Sequence, residues 1–455
     1  MLFLSGLLVL GLSRFFLFGS GGLGGVLVFL GCFFVWCLVS FGVSIVGLLL
    51  LVGVRWWGFG TFFAVLSWVG LCFFWVCWSR KSFPRALGTS MSVHLMKVAI
   101  LGAGGGGLAV AHDFSQHGHE VRVFDFEMFP ENVEAVKRNK GVYAEGDLEG
   151  FAEVEYAGHD VGEALDGAEL VIAVGPAYST RPFADACKPY LRDDQVVIVC
   201  PSSCGGCVEF KNGVGRALDY DGLIVAETNT LPYAVRVTEP GRIRVFLKLR
   251  GGLFLAALPA GFTSRVLGMV GDVYPYLVAA KNVLQTSLQN GNPVIHPAIT
   301  LLNVGLIERS GGDFFFYEDG VTDAVGRLVE AVDLERLAIA ERLGVDVLPD
   351  PELGMLQGYQ TENNYDSSYR EAPGYRGIKA QSRLDYRYFN EDVGYGLVFM
   401  SDLGAQIGVP TPHMDSIITI VSTLMMRDYR GERKRTMGTL GLDGYSLDEL
   451  IKLIS

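Results

Sequence analysis

The chain has 455 residues, with 37 Lys and Arg against 49 Asp and Glu, a formal net charge of −12. Apolar residues make up 50% and mean hydropathy is +0.33, which excludes a disordered polymer and exceeds an ordinary soluble enzyme. Residues 1–90 hold five of the basic residues and no acidic one, so the remainder carries a net charge of −17, a field that repels phosphate backbones and argues against nucleic-acid binding.

The first ninety residues read as a separate segment. Residues 15–54 and 56–78 are almost continuously apolar, long enough for membrane spans, and Arg80, Lys81 and Arg85 follow at once. The positive-inside rule then puts the rest of the chain in the cytoplasm, anchored through residues 15–78. A second reading is preferred. Between Met1 and Ser79 there is no Asp, Glu, Asn, Gln, His, Lys, Tyr or Pro. Pro apart, these are the types encoded with A in the middle codon position, as expected of a misassigned start, with Met91 beginning a sequence of ordinary composition. Neither reading gives the segment any chemistry.

Lys97–Leu101 (KVAIL) reads as a buried strand running into Gly102-Ala103-Gly104-Gly105-Gly106-Gly107, then an alanine-rich helix to His117. Glu120–Phe124 (EVRVF) is the next strand, closed by Asp125. Strand, G-x-G-x-x-G, helix, strand and acid form the fingerprint of a Rossmann-type dinucleotide site. Gly102 permits the tight turn, Gly104 lets the backbone approach a pyrophosphate, and Gly107 lets helix and strand pack. Asp125 is placed to accept from ribose hydroxyls and to repel a 2′-phosphate, which favours NAD over NADP.

Further apolar strands end in small or polar loops: Leu170–Val174 at Gly175-Pro176, Gln195–Cys200 at Pro201, and Leu223–Ala226 at Glu227-Thr-Asn-Thr230. In an open parallel sheet those ends line the ligand crevice. Cys204-Gly-Gly-Cys207 lacks a second pair of metal ligands, so no metal site is expected. Arg242–Leu258 reads as a hairpin around Gly251-Gly252. From about Val283 the pattern is helical, with Ala331–Leu343, Ser401–Ile407 and Ser416–Met426 as amphipathic helices. The expected fold is α/β: residues 91–282 a doubly wound dinucleotide-binding domain and 283–455 a mostly α-helical substrate domain, with ligands between them.

That cleft needs a proton-transfer group. His296, in Asn292-Pro-Val-Ile-His-Pro297, sits just past the junction, with Pro297 read as a helix entry. From position alone His413 is an equal rival. Residues 358–398 concentrate Tyr365, Tyr369, Arg370, Tyr375, Arg376, Lys379, Arg383 and Arg387 in an otherwise acidic region, which reads either as a site for small carboxylates or as a solvated loop with surface ion pairs.

Together these stretches resemble the opine dehydrogenase family, which includes octopine and nopaline dehydrogenases. The likeness is carried by Gly102–Gly107, Glu227–Ala234, Asn292–Pro297, Pro373–Ala380 and Arg387–Val398, and covers residues 97–430. It implies NAD(P)H-dependent condensation of an amino acid or other amine with a 2-oxo acid, through reduction of an imine. It implies His296 as the catalytic histidine, Asp392 as its partner, Arg387 as holding a substrate carboxylate and Thr230 as lying near substrate; Asn292 opens the matching stretch. The chain departs from the family at Gly394, where proline is usual. A homodimer is also allowed for. Two other readings are weighed: a two-domain dehydrogenase of a 2-hydroxy acid or sugar phosphate, and a membrane-anchored NAD sensor without turnover.

Overall fold

A computed structural model of the chain describes residues 94–455, which fall within one compact unit. The apolar segment expected over residues 1–90, with its spans between 15 and 78, lies outside the described residues. Among the described residues no helix is long and apolar enough to cross a membrane.

Twelve strands are present among these residues: β1 Lys97–Leu101, β2 Glu120–Phe124, β3 Gly141–Gly146, β4 Gly150–Glu153, β5 Tyr156–Gly158, β6 Leu170–Ala173, β7 Val196–Val199, β8 Ile224–Thr228, β9 Tyr233–Glu239, β10 Arg242–Lys248, β11 Leu253–Leu258 and β12 Leu277–Ala279. The main sheet has the order β12-β11-β8-β7-β6-β1-β2-β5. From β5 to β8 every neighbouring pair is parallel, with Val98 opposite Val121 on one side and Leu170 on the other. Continuous Val, Ile, Leu and Ala runs suit this placement, because a parallel sheet is covered on both faces; β6 and β7 are buried throughout. The strand order reverses between β1 and β6. Ligand crevices form at such a point, beyond the carboxyl ends of the strands.

The expected hairpin around Gly251-Gly252 is absent. Strand β10 instead turns back on β9 at Pro240-Gly241, where Gly241 has φ +75°, and β11 joins the other sheet, antiparallel to β8. The turn follows the Pro-Gly signal, and the Gly251-Gly252 pair serves as the passage between sheets. The second sheet, β4-β3-β10-β9, packs against the helix Gly105–Gln116 through all four of its strands.

After β12 the chain is helical from Val283. Pro297 lies inside the helix Asn292–Leu302, whose entry is marked by Pro293, four residues earlier than expected. The helix expected over Ala331–Leu343 extends back to Asp323, because the Thr322 side chain caps Val325 N and Gly344 closes the far end at φ +66°. Ser401–Ile407 falls within the helix Val398–Ile407, and Ser416–Met426 within Pro412–Met425 but for Met426, which closes that helix in a left-handed conformation.

Candidate active site

A cavity of about 1250 Å³ opens at the carboxyl ends of β1 and β6 and continues into the helical half. Its sheet end is built by glycines. A Cβ on Gly102 would sit 2.2 Å from the Val174 carbonyl oxygen, and one on Gly107 would sit 1.7 Å from that of Gly102. Both positions therefore demand glycine. A Cβ on Gly104 would meet nothing within 4 Å, so this backbone faces open space. Gly104 also caps the helix Gly105–Gln116 without a side-chain bond, leaving its first N–H groups toward the cavity. An anion is favoured there by the free donors and the helix dipole. The cradle fits the pyrophosphate of a dinucleotide.

Asp125 lines the same end. Its Oδ2 accepts from Ala103 N at 2.7 Å and its Oδ1 from Phe126 N at 2.8 Å. Burial raises its pKa, and the two backbone N–H groups offset that only in part. Ala103 itself is buried behind the loop rather than lining the cavity. Gly175 and Pro176 form the facing wall.

The deep end belongs to the helical half. His296 is 7% exposed, on the helix Asn292–Leu302. Its Nδ1 donates to Asp392 Oδ2 at 2.8 Å, and its Nε2 lies 3.1 Å from the Tyr317 hydroxyl. Tyr388 stacks on the imidazole with centroids 4.0 Å apart. Asp392 does not line the cavity and lies buried behind the ring. Thr230 and Asn292 line the wall, as does Arg387.

Glu391 joins the two ends. It is buried, and its Oε1 accepts from Ala177 N at 2.9 Å, in the loop after β6, and from Ser203 Oγ at 3.1 Å, in the loop after β7. Its Oε2 is 3.1 Å from the Arg387 guanidinium. The same two loops are held from below by Arg435, which donates to the carbonyls of Ser202, Ser203, Cys204 and Ala177 and pairs with Glu209.

The sequence-derived residues thus converge, with Ala103 and Asp392 one layer behind the surface. The rival His413 does not: its Nδ1 bonds Glu335 at 2.7 Å, outside the cavity. Within 358–398, Arg370 and Lys379 pair with Asp323 and Asp313 at the surface, while Arg387 and Tyr375, Tyr386 and Tyr388 line the cavity. The stretch is therefore part loop and part site. Cys204 and Cys207 are buried thiols donating to backbone carbonyls, with burial pushing Cys204 up to about 12 and Cys207 upward too. At Gly394 the room a larger residue would need is taken by Tyr429, whose ring would lie 3.2 Å from a Cβ. Tyr317, Arg435 and Arg236, which also lines the cavity, are not singled out by the sequence. Tyr317 and Arg236 belong to no motif, and Arg435 lies in the short basic run Arg433-Lys434-Arg435.

Residues 97–202 match the family model for the NAD-dependent glycerol-3-phosphate dehydrogenase N-terminus, and residues 279–425 that for the NAD/NADP octopine/nopaline dehydrogenase alpha-helical domain. An opine dehydrogenase of Arthrobacter sp. (strain 1C) is 35% identical over 347 residues, 76% of this chain and 95% of that protein. The chain belongs to the opine dehydrogenase family. As an opine dehydrogenase-like protein it is an NAD(H)-dependent oxidoreductase acting on a CH–NH bond, formed by reductive condensation of an amino acid with a 2-oxo acid. The hydroxy-acid dehydrogenase and sensor readings are set aside accordingly. The Agrobacterium tumefaciens (strain Ach5) protein ocs is 24% identical, covering 79% of this chain and 99% of its own. Octopine dehydrogenase with NADH and L-arginine shares the fold at a TM-score of 0.64 and 20% identity, covering 78% of this chain and 98% of that one. Yersinopine dehydrogenase with NADP+ does so at 0.58 and 16%, over 79% and 97%.

Proposed function

We propose that this opine dehydrogenase-like enzyme works through His296 as proton-transfer group and Asp392 as its orienting partner. The supporting observation is the 2.8 Å bond from Nδ1 to Asp392, at the end of a cavity that begins at the glycine loop. The carboxylate fixes the Nδ1–H tautomer and stabilises the charged ring, so Nε2 is the working nitrogen. Imine formation needs an amine made neutral and then a carbinolamine hydroxyl protonated. One histidine can do both near neutral pH. When bound, the nicotinamide supplies the hydride, and the protein supplies position. Gly102, Gly104, Gly107, Gly175 and Pro176 would hold the dinucleotide. Asp125 would face its ribose, where the remaining lone pairs accept from hydroxyls and the charge disfavours a 2′-phosphate.

Arg387 is assigned to the oxo-acid carboxylate, with Thr230 and Asn292 beside the substrates. A second reading of Arg387 has support, because Glu391 ties it to the loop after β6, on the dinucleotide side. Arg387→Ala separates them: a raised KM for the oxo acid alone supports the carboxylate, and a raised KM for NADH supports the pyrophosphate. The cytoplasm as location of residues 91–455, the division at 282/283 and a homodimer remain part of the same proposal; sedimentation reads the last.

The test of the catalytic pair is a double-mutant comparison. His296→Ala should cost roughly 10²–10⁴ in kcat, the range of general acid–base catalysis. Asp392→Asn should be severely impaired, and the double variant little worse than His296→Ala, since groups acting as a unit are not additive. Near-normal turnover by His296→Ala contradicts the proposal.

A further inference from the structure

We infer that the Tyr317 hydroxyl is a proton relay between His296 Nε2 and the substrate nitrogen and oxygen. The inference rests on the reductive-condensation reading and on three observations about the imidazole. Its Nδ1 faces Asp392, its ring face is covered by Tyr388, and its Nε2 faces the Tyr317 hydroxyl at 3.1 Å. A proton leaving the working nitrogen therefore meets that hydroxyl first. His296 and Tyr317 both line the cavity, and Asp392 does not.

The alternative is that substrate pushes the tyrosine aside and bonds Nε2 directly. The packing opposes this. The Tyr317 ring stacks on Tyr375 with centroids 4.2 Å apart and meets the edge of Phe316 at 5.0 Å. It is 4% exposed, and any swing into the cavity would give up both ring contacts. Burial also raises its pKa well above the ordinary value, so a phenolate is not stored between steps. The hydroxyl passes one proton on as it takes another.

The steps balance without a further reagent. The substrate ammonium gives a proton to the Tyr317 oxygen while the Tyr317 proton moves to Nε2, leaving a neutral amine and a charged imidazole. The amine nitrogen attacks the carbonyl carbon of the oxo acid. The C–N bond forms, and a proton moves from nitrogen to the former carbonyl oxygen, giving the carbinolamine. The imidazolium returns its proton through Tyr317 to the carbinolamine hydroxyl, the C–O bond breaks as the nitrogen lone pair forms the C=N bond, and water and the protonated imine result. The hydride of the reaction already assigned then reduces the imine carbon.

Tyr317→Phe removes only the hydroxyl and keeps both ring contacts, so it preserves packing. In the full chain it should lower kcat by roughly 10²-fold, as loss of an acid–base step does, with KM for NADH unchanged. A proton inventory in H₂O/D₂O mixtures should curve for the wild type, with two protons in flight, and become linear in the variant. Independently of turnover, ¹⁵N NMR of histidine-labelled protein, with His296→Ala for assignment, should show Nε2 of His296 accepting a hydrogen bond that Tyr317→Phe removes. A linear wild-type inventory, or Tyr317→Phe turning over at the wild-type rate, overturns the relay. Absence of amine-dependent NADH oxidation in the wild type overturns the condensation reading instead, while an Nε2 signal that Tyr317→Phe leaves unmoved contradicts the bond itself.

Discussion

Two carboxylates of the site are held by opposite means, and each gives a residue-scale prediction. Asp125 spends one lone pair of each oxygen on a backbone N–H, so its charge sits at the mouth of the dinucleotide cradle. Asp125→Asn removes that charge and should narrow the preference for NADH over NADPH, measured as the ratio of kcat/KM values; a wild type that prefers NADPH contradicts the assignment. Asp350, a buried residue on the helical side of the cavity wall, accepts from the Tyr369 hydroxyl at 2.6 Å. Burial first, and then the Asp333 carboxylate, push it up from 3.8 to about 6. A folded-state pKa raised above the unfolded one contributes stability that is present below 3.8 and is lost as pH rises through about 6. Asp350→Asn keeps an acceptor for Tyr369 without the charge. Its Tm should therefore gain on the wild type as pH rises across that window, and the difference should stay constant above it. Parallel Tm curves for the two proteins would contradict the raised pKa.

At the scale of elements, legibility followed how local each signal was. The strand–glycine–helix–strand unit was readable because turn, helix start and acid all fall within about thirty residues. His296 was readable by position and resemblance, but its helix entry was misread at Pro297, since Pro293 offers the same local signal four residues earlier. The β9–β10 turn was misplaced because a Gly-Gly pair and a Pro-Gly pair both punctuate the same run. Long-range partners left no sequence trace: Tyr317 meets His296 across 21 positions, and Arg435 meets the loops after β6 and β7 across more than 230. Arg435 is fully buried, and its loss would strand Glu209 and several loop carbonyls. Arg435→Met should thus cost about 3–5 kcal/mol, as removal of one partner of a buried pair does. Denaturant unfolding reads this, and KM for NADH should rise as the loops loosen. A loss under about 1 kcal/mol with KM unchanged would show that the loops hold their own shape.

For the whole molecule, the two halves are complementary in what they lack. The sheet presents an anion cradle with Asp125 beside it and, among the described residues, no histidine in the cavity wall, while the helical half presents a histidine, the carboxylate behind it and an arginine. On the proposed mechanism the reaction draws on both halves, and the cavity is lined by residues of each. The sequence of residues 1–90 holds no acidic residue and no histidine. A 91–455 fragment should be soluble and turn over at the rate of the full chain; an inactive fragment beside an active membrane-bound full chain would restore the anchor, and N-terminal sequencing of the native protein reads the start directly. The most direct measurement of the central claim is NADH oxidation across a grid of amines and 2-oxo acids, with mass analysis of the product. The account predicts oxidation only when both substrates are present, and a product whose mass is their sum less one water plus two hydrogens. Oxidation with an oxo acid alone, yielding a hydroxy acid, would contradict it.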